Sequence, residues 1–269
     1  MDMTRMEDTL QPLVERALTG QPGFLEFYLR DQSRLPGTRA NIELAQDLSQ
    51  HLAFLTPAFS DEMRALLNHL VREEQHVVTN TPGEFVVICG VLGFGASAVA
   101  VTDWREEVFE RLAHYARNHS WRVREAAALA LQKLLLAAPD ETLLLLMDLL
   151  DRGDCLQLRA CLAAVSEPTL LTTVQFISSA LIMQRVAIEY LHALPATERR
   201  RTDVRVLRQA LGYTLSVVTA ANPDDGFALM CEIATWNDPD INWILRENLK
   251  KRRLAKYREY TGKVLDLMA

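Results

Sequence analysis

Residues 237–260, NDPDINWILRENLKKRRLAKYREY, hold the densest set of chemically suggestive side chains. Trp243, Arg246, Lys250, Lys251, Arg252, Arg253 and Tyr257 combine aromatic faces with fixed positive charge. Such a stripe holds an anionic partner by stacking and by Coulomb attraction. If one helix runs the whole way, Trp243, Lys250, Leu254 and Tyr257 fall roughly opposite a core stripe of Ile241, Ile244, Leu245 and Leu249. Arg199, Arg200 and Arg201 lie in a linker-like stretch and add to the same basic region. From residue 198 to 258 there are twelve Lys/Arg against eight Asp/Glu, whereas the whole chain carries a net charge of −6. A local basic patch on an acidic protein suits a phosphate or an acidic protein surface. Part of the charge order has a simpler cause. Asp238 fits a helix N-cap and Pro239 the first helical position, with the cations at the far end, where they complement the helix dipole.

Other constellations are weaker. His69, Glu73 and His76 share a helical face, but a Glu-x-x-His half-site needs matching acids from other helices. Leu66, Leu67, Leu70 and Val71 explain that segment as an ordinary amphipathic helix, so no metal is assigned. Gly90, Gly93 and Gly95 imitate a dinucleotide loop without its acid about 20 residues on, and close helix packing is the better use of them. There is no serine elbow and no phosphate-binding loop, so no catalytic residue and no cofactor is expected.

The elements that carry these residues read as helices throughout. Breaks at short intervals, such as Pro36-Gly37, Pro139-Asp140, Gly153-Asp154 and Pro168, separate stretches of helical length, and no hairpin pattern appears. After Ser120, a capping residue, Val123, Ala126, Ala127, Ala130, Leu131 and Leu134 form one apolar stripe. The chain is expected to be all-α. Its longest apolar run, residues 85–101, falls just short of the roughly 18–20 residues of a membrane span and is read as a buried helix. The acidic start argues against a secretory signal, and the four cysteines have neither zinc nor redox spacing, so an intracellular, cytoplasmic protein with buried thiols and no membrane contact is expected.

An internal echo gives the organisation. WRVRE from Trp121 returns as WILRE from Trp243, and more faintly from Leu156 and Arg205, at steps of 35, 49 and 38 residues. Each copy has Arg at its fourth place: Arg124, Arg159, Arg208 and Arg246. A period near forty marks stacked helix pairs. SWRVREAAALALQKL resembles the second helix of a HEAT repeat, as does DPDINWILRENLKK. The resemblance implies an α/α superhelix, a solenoid whose recurring arginines join ladders with acids of neighbouring units. Residues 1–80 are then divergent repeats or a helical cap, and residues 81–269 HEAT-like repeats closed by a C-terminal capping segment.

The chain is also similar to the bacterial HEAT-like alkylpurine DNA glycosylases in helical composition, length and Trp-bearing helices. That family implies tryptophans, an Asp and arginines on a basic concave face. Trp104, Trp121, Trp236 and Trp243 are present, with Asp103, Asp238 and Asp240 near some of them. None registers with the family's active positions, and the acidic first two-thirds departs from a cationic groove. The expected function is therefore a non-catalytic scaffold with a protein partner, met through the basic C-terminal region. The alternative is a DNA-binding relative of the glycosylases.

Overall fold

The computed structural model describes residues 3–268, with side chains from residue 9 onward. The described residues contain helices and no strands, so the chain is all-α. It forms two compact units, one ending at Ala138 and the other starting at Pro139. The first unit holds α1 (Met3–Leu18), α2 (Gly23–Asp31), α3 (Ile42–Leu55), α4 (Ser60–Val71), α5 (Pro82–Ala100), α6 (Arg105–Tyr115) and α7 (Trp121–Ala137). In it α3, α5 and α7 pack in succession, while α4 lies on α5, and α6 on both α5 and α7. The division expected near residue 80 falls inside this unit, because α5 packs on both α3 and α4.

Helix α5 is the centre of that unit. Its residues from Glu84 to Ala98 are buried. By length and composition it is the one helix, among the described residues, apolar enough to cross a membrane, yet α2, α3, α4, α6 and α7 cover it. Its glycines set how close those neighbours come. A Cβ on Gly90 would lie 2.6 Å from Val71 Cγ1, and one on Gly95 would lie 2.6 Å from Ala130 Cβ. Carbon atoms prefer about 3.5–4.0 Å, so each glycine is a notch for the facing helix. Helix α7 follows its sequence pattern: Ser120 Oγ accepts from the backbone N–H of Arg122 and Val123, and the whole stripe from Val123 to Leu134 is buried.

The second unit holds α8 (Pro139–Arg152), α9 (Cys155–Val165), α10 (Val174–Ala193), α11 (Thr202–Ala221), α12 (Pro223–Ala234), α13 (Pro239–Leu249) and α14 (Arg258–Leu267). Helices α9, α11 and α13 pack in succession; α10 lies on α9 and α11, α12 on α11 and α13, and α14 on α12. Cys89, Cys155 and Cys161 are buried free thiols, and burial pushes the Cys161 thiol up to about 12. Such thiols are poor nucleophiles at neutral pH.

One expectation is corrected. The basic run does not continue α13, which ends at Leu249. Lys251 is extended, residues 252–254 make a single 3-10 turn against α11, and Tyr257 precedes a separate helix, α14. Trp243, Lys250, Leu254 and Tyr257 therefore share no helical stripe. Were the helix to continue, Lys250 and Arg253 would meet at a spacing of three and Arg246 and Lys250 at a spacing of four, and each like-charged pair would repel. The turn instead carries Leu254 into full burial.

Candidate functional site

The residues singled out in the sequence are mostly engaged within the protein. Arg199 donates to Asp238 Oδ2 at 2.6 Å and to the carbonyls of Leu194 and His192. Arg201 pairs with Asp203 and Glu198, and Lys250 pairs with Glu247 at 2.7 Å. Arg253 donates to Tyr213 Oη at 2.8 Å and lies over that ring, with Lys251 Nζ 5.7 Å from its centroid. Tyr257 packs edge-on against Phe227. The side chains of Arg200, Arg246 and Arg252 are exposed and have no hydrogen bond or ion pair among the described residues. Arg205, Lys256 and Arg258 are exposed without such a partner too, so the basic end is a set of scattered free cations around internal pairs.

Trp243 is held by α11. Gly212 leaves room for its ring, and the Arg208 guanidinium sits 4.6 Å from the ring centroid while pairing with Asp240. Asp240 also takes Arg199, 3.4 Å away. Next to it, Asp238 is buried: its Oδ1 caps α13, and its Oδ2 receives Arg199 and lies 2.9 Å from His192 Nδ1. Burial alone raises the Asp238 carboxyl, but hydrogen bonds from Arg199, His192 and the Asp240 and Ile241 N–H groups outweigh it and hold the value below the ordinary 3.8. Among the four echoed arginines, Arg208 makes a cross-helix pair with an acid, Asp240. Arg124 donates to the carbonyls of Asn118 and His119.

A similar hub joins α2 and α4. Glu26 receives Arg30 and Arg72 and lies 2.9 Å from His69 Nε2. His69, read from sequence as a weak metal candidate, is thereby a partner of Glu26. Burial pushes Glu26 up, but hydrogen bonds from Arg30, His69 and Arg72 bring it below the ordinary 4.5. Depressed carboxyl values stabilise the fold above the unfolded-state values, and that contribution is lost as pH falls through the folded ones. The urea midpoint is therefore expected to be flat from neutral pH to about pH 5 and to fall below about 4.5. Glu26→Gln should lower the neutral-pH midpoint and flatten the acid limb. An unchanged acid limb would show that Glu26 has no part in it.

The site that sequence reading missed is in the first unit. A cavity of about 310 Å³ lies between the loop of residues 33–41 and the start of α7. Trp121, Ala40, Ile42, Ala126 and Leu129 give it apolar walls, and Arg34, Arg39, Arg122, Glu43 and Glu125 stand around them. Trp121 is 54% exposed. Beneath the loop is a buried polar cluster. Glu84, fully buried, accepts from the Ser120 hydroxyl, from the Asn80 N–H at 2.9 Å and from Arg122 at 3.3 Å. Arg122 also donates to the Gly37 carbonyl at 2.9 Å, and Gly37 N–H donates to Asn80 Oδ1. Asn41 ties the two ends of the loop, through its side chain to the Gln32 carbonyl and through its N–H to that of Ser33. One turn beyond Leu129, Lys133 reaches α3 and donates to Ser49 Oγ at 2.8 Å, and burial lowers its ammonium value. Trp121 marked a repeat in the sequence. Its neighbours on the loop lie some eighty residues earlier, a distance no local pattern bridges.

No protein-family model matches the chain, and no curated protein matches it.

Proposed function

We propose that this protein is a non-catalytic, HEAT-like repeat scaffold that binds a protein partner. One observation carries the reading: polar side chains link helices at a recurring separation. Arg64 pairs with Glu107, Arg111 with Asn68 and His69 with Glu26, each across 43 residues. Thr56 and Ser97 bond across 41, His114 and Glu74 across 40, and in the second unit Arg185 and Glu232 across 47. Helix pairs stacked with a period near forty need such links, each unit reaching its neighbour. They also use up cations that a nucleic-acid surface would leave free.

Trp243, Asp240 and Arg208 in one place favour a second reading, a DNA-binding relative of the alkylpurine glycosylases. Against it, both aspartates there are already occupied by arginines. Fluorescence anisotropy with labelled duplex at low ionic strength separates the two, because phosphate contacts are strongest there. A scaffold is expected to retain no duplex and to release no base from alkylated DNA. Salt-sensitive retention would replace the first reading with the second. Replacing Lys250, Lys251, Arg252 and Arg253 together by Ser is expected to leave partner capture largely intact, since Lys250 and Arg253 are engaged internally. A complete loss would restore the basic end as the contact.

A further inference from the structure

We propose that the cavity beside Trp121 binds a short acidic peptide segment of the partner, with one bulky apolar side chain inserted against the indole. The proposal rests on the scaffold reading and supplies its contact.

Size comes first. At about 310 Å³ the cavity sits at the lower bound of ligand sites, which suits a single large side chain and little more. Its apolar walls are the indole, Ile42, Ala40, Ala126 and Leu129, and the Thr38 hydroxyl joins the charged side chains around them. Trp is the residue type most often found as an energetic anchor in interfaces, and here it stands half out of water. Arg122 lies 4.7 Å from the centroid of its ring. That guanidinium is fixed by Glu84 and Gly37, so the indole is backed on one side and open on the other.

Charge selects the peptide. Arg39 is exposed and has no hydrogen bond or ion pair among the described residues. Arg34 is paired with Glu43 at 3.1 Å, but the two side chains are 57% and 72% exposed. A pair so open to water contributes little and exchanges readily for another carboxylate. Arg122 is committed and Glu125 is engaged. The uncommitted charge at the rim is therefore positive and small, enough for one or two carboxylates. A single pocket offers no continuous basic groove for a phosphate backbone to follow, which disfavours nucleic acid despite the aromatic and basic lining. The loop's hydrogen bonds hold the wall in place before anything binds, which removes part of the ordering cost.

The test uses fluorescein-labelled short peptides with Asp and Glu flanking a central Phe or Leu, read by anisotropy against the full-length protein. Matched peptides with Lys flanks or a central Ala, and single-stranded oligo-dT, are controls. The acidic Phe and Leu peptides are expected to bind, more weakly as salt rises. Trp121→Ala should weaken them about tenfold or more, and Arg39→Ala by a smaller factor. Both residues are at the surface, and unchanged helical circular dichroism and melting will separate lost binding from lost folding. Absence of binding up to about 1 mM, indifference to both substitutions, or preference for oligo-dT overturns the proposal. Capture of the natural partner keeps the two readings apart. Equal capture by wild type and Trp121→Ala refutes the cavity and leaves the scaffold standing, whereas duplex binding with no protein captured refutes the scaffold itself.

Discussion

Glu84→Ala is expected to lower the unfolding free energy by about 3–5 kcal/mol, the usual cost of removing one partner from a buried ion pair. Glu84 is fully buried, and the Arg122 side chain is only 10% exposed. Without the carboxyl, the guanidinium keeps its bond to the Gly37 carbonyl but loses its counter-charge. The Ser120 hydroxyl, fully buried, loses its acceptor as well, and an unmatched buried donor costs about 1–3 kcal/mol; the Asn80 N–H, on an exposed residue, can turn to water. Urea unfolding measures the total. Glu84→Gln keeps the shape and one acceptor oxygen and should lose less. The double variant Glu84→Ala with Arg122→Met should recover part of the loss, because a buried pair replaced by apolar groups is often nearly neutral. Hydrogen exchange gives an independent reading. Gly37 N–H, bonded to Asn80 Oδ1, should exchange faster in Glu84→Ala, since the cluster anchors the loop that walls the cavity. A loss below about 1 kcal/mol with unchanged Gly37 exchange would mean that the cluster neither stabilises the unit nor holds the loop.

The local signals were legible because their causes are local. A cap at Ser120 or Asp238 needs only the next three residues, and the stripe from Val123 to Leu134 needs only one helix. The glycines of α5 could also be assigned to close packing, since an apolar helix carrying small residues has few other uses for them. The basic run was harder. It holds neither Gly nor Pro, so nothing nearby marks the end of α13. The chain turns there to bury Leu254, a tertiary gain that outweighs the helical propensity of Lys and Arg. Recurring arginines were visible, but their partners depend on which faces meet. Arg208 finds Asp240 on the next helix, and Arg124 reaches two carbonyls of its own preceding loop. The cavity lay furthest from view, because Arg39 and Trp121 are unrelated in sequence and meet only across the α3–α5–α7 succession.

One substitution made at two glycines is expected to give opposite signs. In a helix, Gly→Ala normally stabilises by about 1 kcal/mol, because alanine gives up less backbone entropy on folding. Gly262 in α14 has no atom within 4 Å of where its Cβ would be, so Gly262→Ala should raise the urea midpoint. Gly95 carries the same propensity gain but faces α7. There the new Cβ would lie 2.6 Å from Ala130 Cβ and 3.0 Å from Ala130 Cα. Rotating a side chain relieves neither clash, since a Cβ is fixed by its backbone and a Cα is backbone. The helices must separate, and α5 and α7 share one of the largest packed surfaces in the unit. Overpacking of that kind costs about 1–3 kcal/mol net, so Gly95→Ala should lower the midpoint although it improves the helix. Adding Ala130→Gly removes the closer clash but leaves the new methyl pressed on the α7 backbone and gives up the propensity gain, so it should restore stability only in part. Stabilisation by Gly95→Ala equal to that by Gly262→Ala would show that α5 and α7 do not approach this closely in solution. The centre of the first unit, and the placing of α7 that sets Trp121 against the loop, would then have to be redrawn.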